Sequence, residues 1–185
     1  PGTERPLFKQ TFNIKEHGFA ETKINMLTHH GTHIDAPAHM VLNGKTLDQF
    51  NADKFYGSAF CINCKNLQNG IIDLKFLETF EEKIKLNDFL LLNTGWSEKW
   101  GTEAYYSNFP VLSIQACEWL SNFSLKGIGI DNISLDTVDS KNFENHFIVF
   151  EKEMIIIENL TNLNKLEKTE FILSCFPLKI ENADG

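Results

Sequence analysis

The sequence predicts a layered α/β or α+β domain, on two observations: five short apolar segments rich in β-branched and aromatic residues, and helical spacing in the stretches between them. The segments are Ala59 to Cys64, Phe89 to Asn93, Gly127 to Asp131, Met154 to Ile157 and Phe171 to Phe176. Each has the length of a strand, and several are apolar enough to be buried on both faces. Between the first two, Asp73 to Lys83 reads as a helix with Asp73 as its N-cap. Ser113 to Phe123 reads likewise, with Ser113 as N-cap and Ile114, Cys117 and Leu120 along one apolar stripe. A third helix is expected around Lys141 to Phe150. With no repeat, low-complexity tract or linker, residues 1–185 are expected to form a single domain, long enough to bury a sizeable core. The chain opens Pro1-Gly2-Thr3 and stops at Asp184-Gly185 just after an apolar stretch, so both ends read as cut, with the extreme N-terminal and C-terminal strands missing.

Composition removes several classes of function. A hydrophobic share of 42% with 23% charged residues is that of an ordinary soluble domain. Acidic residues outnumber basic ones 25 to 17, for a formal net charge of −8, and every basic residue except Arg5 is a lysine. The lysines are scattered, which argues against a nucleic-acid partner. No apolar run approaches the roughly 20 residues that span a bilayer, and no basic-then-apolar leader opens the chain, so a cytoplasmic protein without a membrane partner is expected. Cys61 and Cys64 form a CxxC, but they sit in a segment that reads as a strand. They are expected to be packed thiols rather than a redox pair or half a zinc site.

The chemistry concentrates in one run, His29-His30-Gly31-Thr32-His33-Ile34-Asp35-Ala36-Pro37-Ala38-His39, which holds four of the six histidines within eleven residues. Neutral imidazoles and a carboxylate converging at about 2.0 to 2.2 Å are what zinc or manganese requires. His33 and Asp35 are two apart, so on extended backbone they share a face and can chelate together. Gly31 permits a turn and Pro37 biases Ala36 away from helical angles, so the run is expected to be a strand entering a tight loop. His29 and His39 can swing in from either side of it. His30, next to His29, should point away, and His17 stands alone in a polar segment as a structural or solvent histidine. Distant ligands are expected as well, and His146 and Glu158 are the candidates. Glu158 ends the apolar run Met154 to Ile157, where a carboxylate either faces water or needs a partner.

The run resembles the HxGTHxDxPxH signature of the cyclase family of metal-dependent hydrolases, whose best-known members are the bacterial kynurenine formamidases, or arylformamidases. The similarity continues through Asn93-Thr94-Gly95-Trp96, Gly127-Ile128-Gly129-Ile130-Asp131, His146 and Ile157-Glu158-Asn159-Leu160. It implies a swivelling β/β/α fold, assembly as a homodimer or homotetramer, and one or two divalent metals per chain, Zn2+ or Mn2+. Carried over by position, it implies His29, His33 and Asp35 at the first metal. Asp35 then bridges to a second completed by His146 and Glu158, with Glu158 touching both, and His39 is the proton donor and acceptor.

The reaction this implies is cleavage of an amide, lactam or lactone in a small molecule by metal-activated water, with His39 shuttling the proton. Thr32 is a candidate to orient the imidazoles. Trp96 either lines an aromatic substrate pocket or packs in the core, and Asp131 supports the site or is merely exposed. An isatin-hydrolase-like lactam hydrolase shares the same motif. His33, Asp35 and His146 also spell a two-histidine, one-carboxylate iron triad, but an oxygenase leaves His29 and His39 unexplained and finds no arginine beyond Arg5. A catalytically silent binding protein is the remaining alternative.

Overall fold

The computed structural model describes residues 4–166 and 170–185; the opening Pro1-Gly2-Thr3 lies outside the described residues. In chain order the strands are β1 (Leu7–Phe12), β2 (Glu21–Asn25), β3 (His33–Asp35), β4 (Tyr56–Asn63), β5 (Ile71–Ile72), β6 (Phe89–Asn93), β7 (Val111–Leu112), β8 (Gly127–Ile130), β9 (Ile155–Glu158) and β10 (Glu170–Ser174). The helices are α1 (Ile14–His17), α2 (Leu74–Glu78), α3 (Glu81–Leu86), α4 (Ile114–Leu120) and α5 (Glu144–Glu151), with single 3-10 turns between several elements.

Among the described residues the largest sheet has the order β10-β4-β6-β8-β9-β3. Its middle four strands are parallel, and β10 and β3 close the edges antiparallel. Parallel neighbours require crossovers, supplied by α2 and α3, then α4, then α5. Each crossover steps the same way along the sheet, and crossovers share one hand, so their helices collect on one face. Phe60, Ile62, Leu90, Leu92, Ile128 and Ile156 point to that face and pack with Leu77, Ile84, Cys117, Leu120 and Val149. The alternate residues Ala59, Phe89, Ile155 and Ile157 bury against Ile34, Leu47, Phe55 and Ala183 on the other side. Burial on both faces is why these strands read as continuous apolar runs. Gly129 in β8 is dictated by crowding, since a Cβ there would lie 2.5 Å from Leu91 Cδ2.

The expected caps are in place: Asp73 accepts from Phe76 N at 2.8 Å and Ser113 from Ala116 N at 3.1 Å. The helix expected over Asp73 to Lys83 is instead two. Thr79 Oγ1 donates to the Phe76 carbonyl at 2.7 Å, Phe80 leaves helical angles, and α3 runs on to Leu86. The helix expected from Lys141 begins only at Glu144, because Phe143 sits in the left-handed region at φ 48°. The exposed β1–β2 hairpin was outside the sequence expectation: its strands mix polar residues with a few apolar ones and carry no long apolar run. Cys61 and Cys64 are buried thiols, and burial pushes the Cys64 thiol far above its ordinary range, as befits packing rather than redox work. No helix among the described residues is long and apolar enough to cross a membrane.

Candidate metal centre

The histidine run folds as its residue types require. Gly31 takes φ 68°, the left-handed turn, and its carbonyl accepts from His33 Nδ1 at 2.9 Å. β3 then holds His33 and Asp35 on one face, antiparallel to β9, with His33 directly opposite Glu158. His33 Nε2 lies 3.0 Å from Asp35 Oδ1 and 3.6 Å from Glu158 Oε2. From before the turn, His29 brings Nδ1 to 2.6 Å from the same Asp35 oxygen. The 3-10 turn Pro37–His39 returns His39 over His29, ring centroids 3.9 Å apart. Two triads result, each with its ligand atoms within 4.8 Å of one another: His29, Asp35 and His39, and His33, Asp35 and Glu158. Asp35 is common to both. His29 and His33 both approach its Oδ1, with their ring centroids 4.9 Å apart, and Glu158 faces the same pair of groups through His33.

His146 reaches the cluster from α5, its Nε2 3.4 Å from Glu158 Oε1. Its position depends on a residue the sequence reading missed. Asp136, 6% exposed, sets Oδ2 at 2.6 Å from His146 Nδ1 and accepts from the backbone N–H of Asn145 and of His146 at 3.0 and 3.1 Å. One carboxylate thus satisfies open amides at the start of α5 and aims the imidazole. Phe143, the N-cap residue, offers no side-chain acceptor, so a remote carboxylate takes that role. Thr32, expected to orient an imidazole, instead donates to the Asn159 carbonyl at 2.6 Å, and Tyr105 Oη donates to Asn159 Oδ1 at 2.7 Å. His30 and His17 make only local contacts: His30 Nδ1 with Leu27, and His17 with Asn13 and the Phe12 ring.

The electrostatics follow from burial and pairing. Burial works to raise the Asp35 pKa, but the bonds from His29 and His33 outweigh it and hold the carboxylate well below the usual range. Glu158 is pushed up to about 7, first by burial and then by the Asp35 charge, against the pull of His146. Burial lowers His146, yet Asp136 and Glu158 overcome it and raise the imidazole to about 9. His33 is also raised: burial opposes its charge, but Asp35 favours it more strongly. Both nitrogens of His33 and of His146 face oxygens, an arrangement that favours the doubly protonated imidazole when no cation is bound. His39 is lowered, first by burial and then by His29, and so is neutral near pH 7.

Among the described residues, three buried side-chain atoms have no hydrogen-bond partner: Asp35 Oδ2 and His29 Nε2 in this cluster, and Asn145 Oδ1 beside His146. An ionised carboxylate oxygen with no donor, in a residue 1% exposed, is costly in isolation and is what a cation would satisfy. Imidazoles and carboxylates in this proportion suit a borderline divalent metal. The cluster lies where the parallel strands end, a usual place for sites in such sheets. Asp131, at the end of β8, is wholly buried and accepts from the Thr94 backbone at 2.9 Å and from its hydroxyl, tying the ends of β6 and β8 together. Trp96 donates through Nε1 to the Tyr105 carbonyl at 2.8 Å with Lys99 Nζ 3.2 Å above its ring, so its indole is fixed in place. A cavity of about 180 Å³ opens beside it, lined by Asn93, Gly95, Ser97 and Leu163 but by none of the histidines.

The sequence model of the Cyclase family, described as "Putative cyclase", matches residues 2–137. The chain belongs to the cyclase family. The matched residues carry the histidine run, and the cyclase-like α/β fold agrees with the expectation. Kynurenine formamidase of Bacillus cereus is 30% identical to this cyclase-family chain over 186 residues, taking in 100% of the chain and 86% of the relative. Isatin hydrolase A from Labrenzia aggregata, bound to benzyl benzoate, superposes with a TM-score of 0.84 at 22% identity, over 97% of this chain and 79% of that one. A potential metal-dependent hydrolase with cyclase activity superposes at 0.79 with 26% identity, over 97% and 82%.

Proposed function

We propose that this cyclase-family chain is a metal-dependent hydrolase that cleaves the C–N bond of a small amide, as kynurenine formamidases do. The observation that carries it is the convergence of His29, His33 and Glu158 on Asp35, with His146 against Glu158, and an Asp35 Oδ2 that is buried without a hydrogen-bond partner among the described residues. His29, His33, Asp35, His146 and Glu158 would hold one or two Zn2+ or Mn2+ ions. A divalent cation there supplies Lewis-acid chemistry, lowering the pKa of bound water from about 15.7 to about 7 and polarising the scissile carbonyl. His39, kept neutral by burial and by His29, takes the proton from the attacking water and returns it to the departing nitrogen. The buried carboxylates stay ionised beside the cation, and Asp136 fixes the direction of His146.

The substrate class rests on the kynurenine formamidase relative, which favours a formyl-anilide. The structural likeness to isatin hydrolase favours a second reading, a cyclic amide fused to an aromatic ring, opened by the same groups. Assembly as a homodimer or homotetramer is part of the proposal, supported by Leu7, Phe8 and Ile24, each more than half exposed on the β1–β2 hairpin. So is a cytoplasmic setting with no nucleic-acid or membrane partner. The test is turnover of N-formylkynurenine and of isatin by the zinc- or manganese-loaded protein. Hydrolysis of either that chelator abolishes and metal restores is expected; inactivity on both and on simple formyl-anilides contradicts the reading.

A further inference from the structure

Two of the clustered imidazoles share one arrangement. Each turns one nitrogen toward the cluster and gives the other to an oxygen behind it: His33 Nδ1 to the Gly31 carbonyl at 2.9 Å, His146 Nδ1 to Asp136 Oδ2 at 2.6 Å. His29 turns Nδ1 to Asp35, and its buried Nε2 has no hydrogen bond. The oxygen facing that nitrogen is Asp184 Oδ2, at 3.5 Å. Asp184 lies 149 residues from Asp35 in sequence, yet its segment is built onto this site. Its carbonyl accepts from Ala36 N at 2.9 Å, the neighbouring Ala183 carbonyl accepts from Leu47 N at 2.9 Å, and Asp184 Oδ1 accepts from Thr28 Oγ1 at 2.8 Å. Gly185 packs so closely on the imidazole that a Cβ there would lie 2.5 Å from His29 Cε1.

We infer that Asp184 is a positioning residue for His29: its carboxylate accepts a hydrogen bond from Nε2–H, keeps the proton on that nitrogen, and so commits Nδ1, the nitrogen facing Asp35, to a bound cation. The inference rests on the metal-centre reading above and extends it to the segment that carries Asp184. Metal-ligating histidines commonly donate their second N–H to a carboxylate or a carbonyl, and loss of that acceptor typically weakens metal binding by about 10- to 100-fold. Thr28 holds the Asp184 carboxylate in place, and the backbone bonds to Ala36 and Leu47 hold the segment whatever side chain position 184 carries.

The experiment titrates metal-free protein with Zn2+ in competition with a chromophoric chelator, for the full chain and for Asp184→Ala, Asp184→Asn and Thr28→Val. The unfolding midpoint of each metal-free protein is measured alongside. Zinc affinity about 10- to 100-fold weaker in Asp184→Ala is expected, with Asp184→Asn in between because its amide oxygen still accepts, and an unfolding midpoint close to that of the unsubstituted chain. Thr28→Val, which leaves position 184 intact, should show a smaller loss and keeps the test open if Asp184→Ala does not fold. Zinc affinity unchanged in the Asp184 variants, or falling only in step with the metal-free midpoint, overturns the assignment while leaving the metal centre standing. Absence of zinc binding by the unsubstituted chain overturns the metal-centre reading itself, and this inference with it.

Discussion

Asp136 Oδ2 lies 2.6 Å from His146 Nδ1, and the same carboxylate takes the backbone amides of Asn145 and His146 at the start of α5. Helix capping and imidazole orientation are therefore one interaction, so a single substitution should disturb both. Asp136→Ala is expected to cost about 1 to 2 kcal/mol in stability from the lost cap, and about 10- to 100-fold in zinc affinity. Asp136→Asn should keep part of the cap while losing the charge that supports His146. Chemical denaturation of the metal-free variants, with zinc titrations alongside, checks both effects.

His39 and Asp35 should separate by substitution. Asp35 belongs to both triads, so Asp35→Ala is expected to abolish metal binding. His39→Ala is expected to leave metal content intact and to cut turnover by about 10² to 10⁴. The placement of His39 in a triad with His29 and Asp35 makes this a sharp test. Equal metal loss in the two variants would make His39 a ligand rather than the proton carrier.

The metal-free protein should lose stability as pH rises from mildly acidic to mildly alkaline. Glu158 is raised from 4.5 to about 7 and His146 from 6.5 to about 9, so the folded chain holds protons that the unfolded chain has released across both intervals. The stabilising contribution of His146 is complete below 6.5 and lost as pH passes through about 9. Asp35 acts in the opposite sense, its contribution present above 3.8 and lost only as pH falls through its depressed folded pKa. Zinc must displace the protons on these imidazoles, so the stabilisation it confers should grow with pH. Thermal unfolding near pH 6 and pH 8, with and without zinc, measures both slopes.

The cysteines should be inert in the folded protein. Burial pushes Cys117 up to about 12 and Cys175 up to about 11, and Cys61 and Cys64 are both buried in or beside β4. Native-state treatment with a thiol reagent near pH 7.5 should label Cys61, Cys64 and Cys117 only at the rate of unfolding. Rapid labelling of the CxxC pair would contradict its assignment as packing.

What could be read from the sequence was what is encoded locally. The buried parallel strands announce themselves as apolar runs, and Asp73 and Ser113 cap the helices they precede. Gly31 and Pro37 bend the histidine run much as their backbone preferences dictate. His146 and Glu158 could be named as candidate distant ligands, but their place at the site came from the resemblance, because only the pairing of β3 with β9 brings Glu158 to Asp35 and only the start of α5 brings His146 to Glu158. Asp136 and Asp184 left no readable signal, since a carboxylate behind an imidazole is defined by tertiary geometry and not by spacing. The break between α2 and α3 turns on one hydroxyl, that of Thr79, which no periodicity reveals.

The most direct measurement is the metal content of protein purified without chelator or nickel affinity resin, determined by elemental analysis beside the Asp35→Ala variant. About one or two zinc or manganese per chain, and none in the variant, is the expected result. No metal in the unsubstituted chain after attempted reloading, or equal metal in both proteins, would contradict a metal centre built on Asp35.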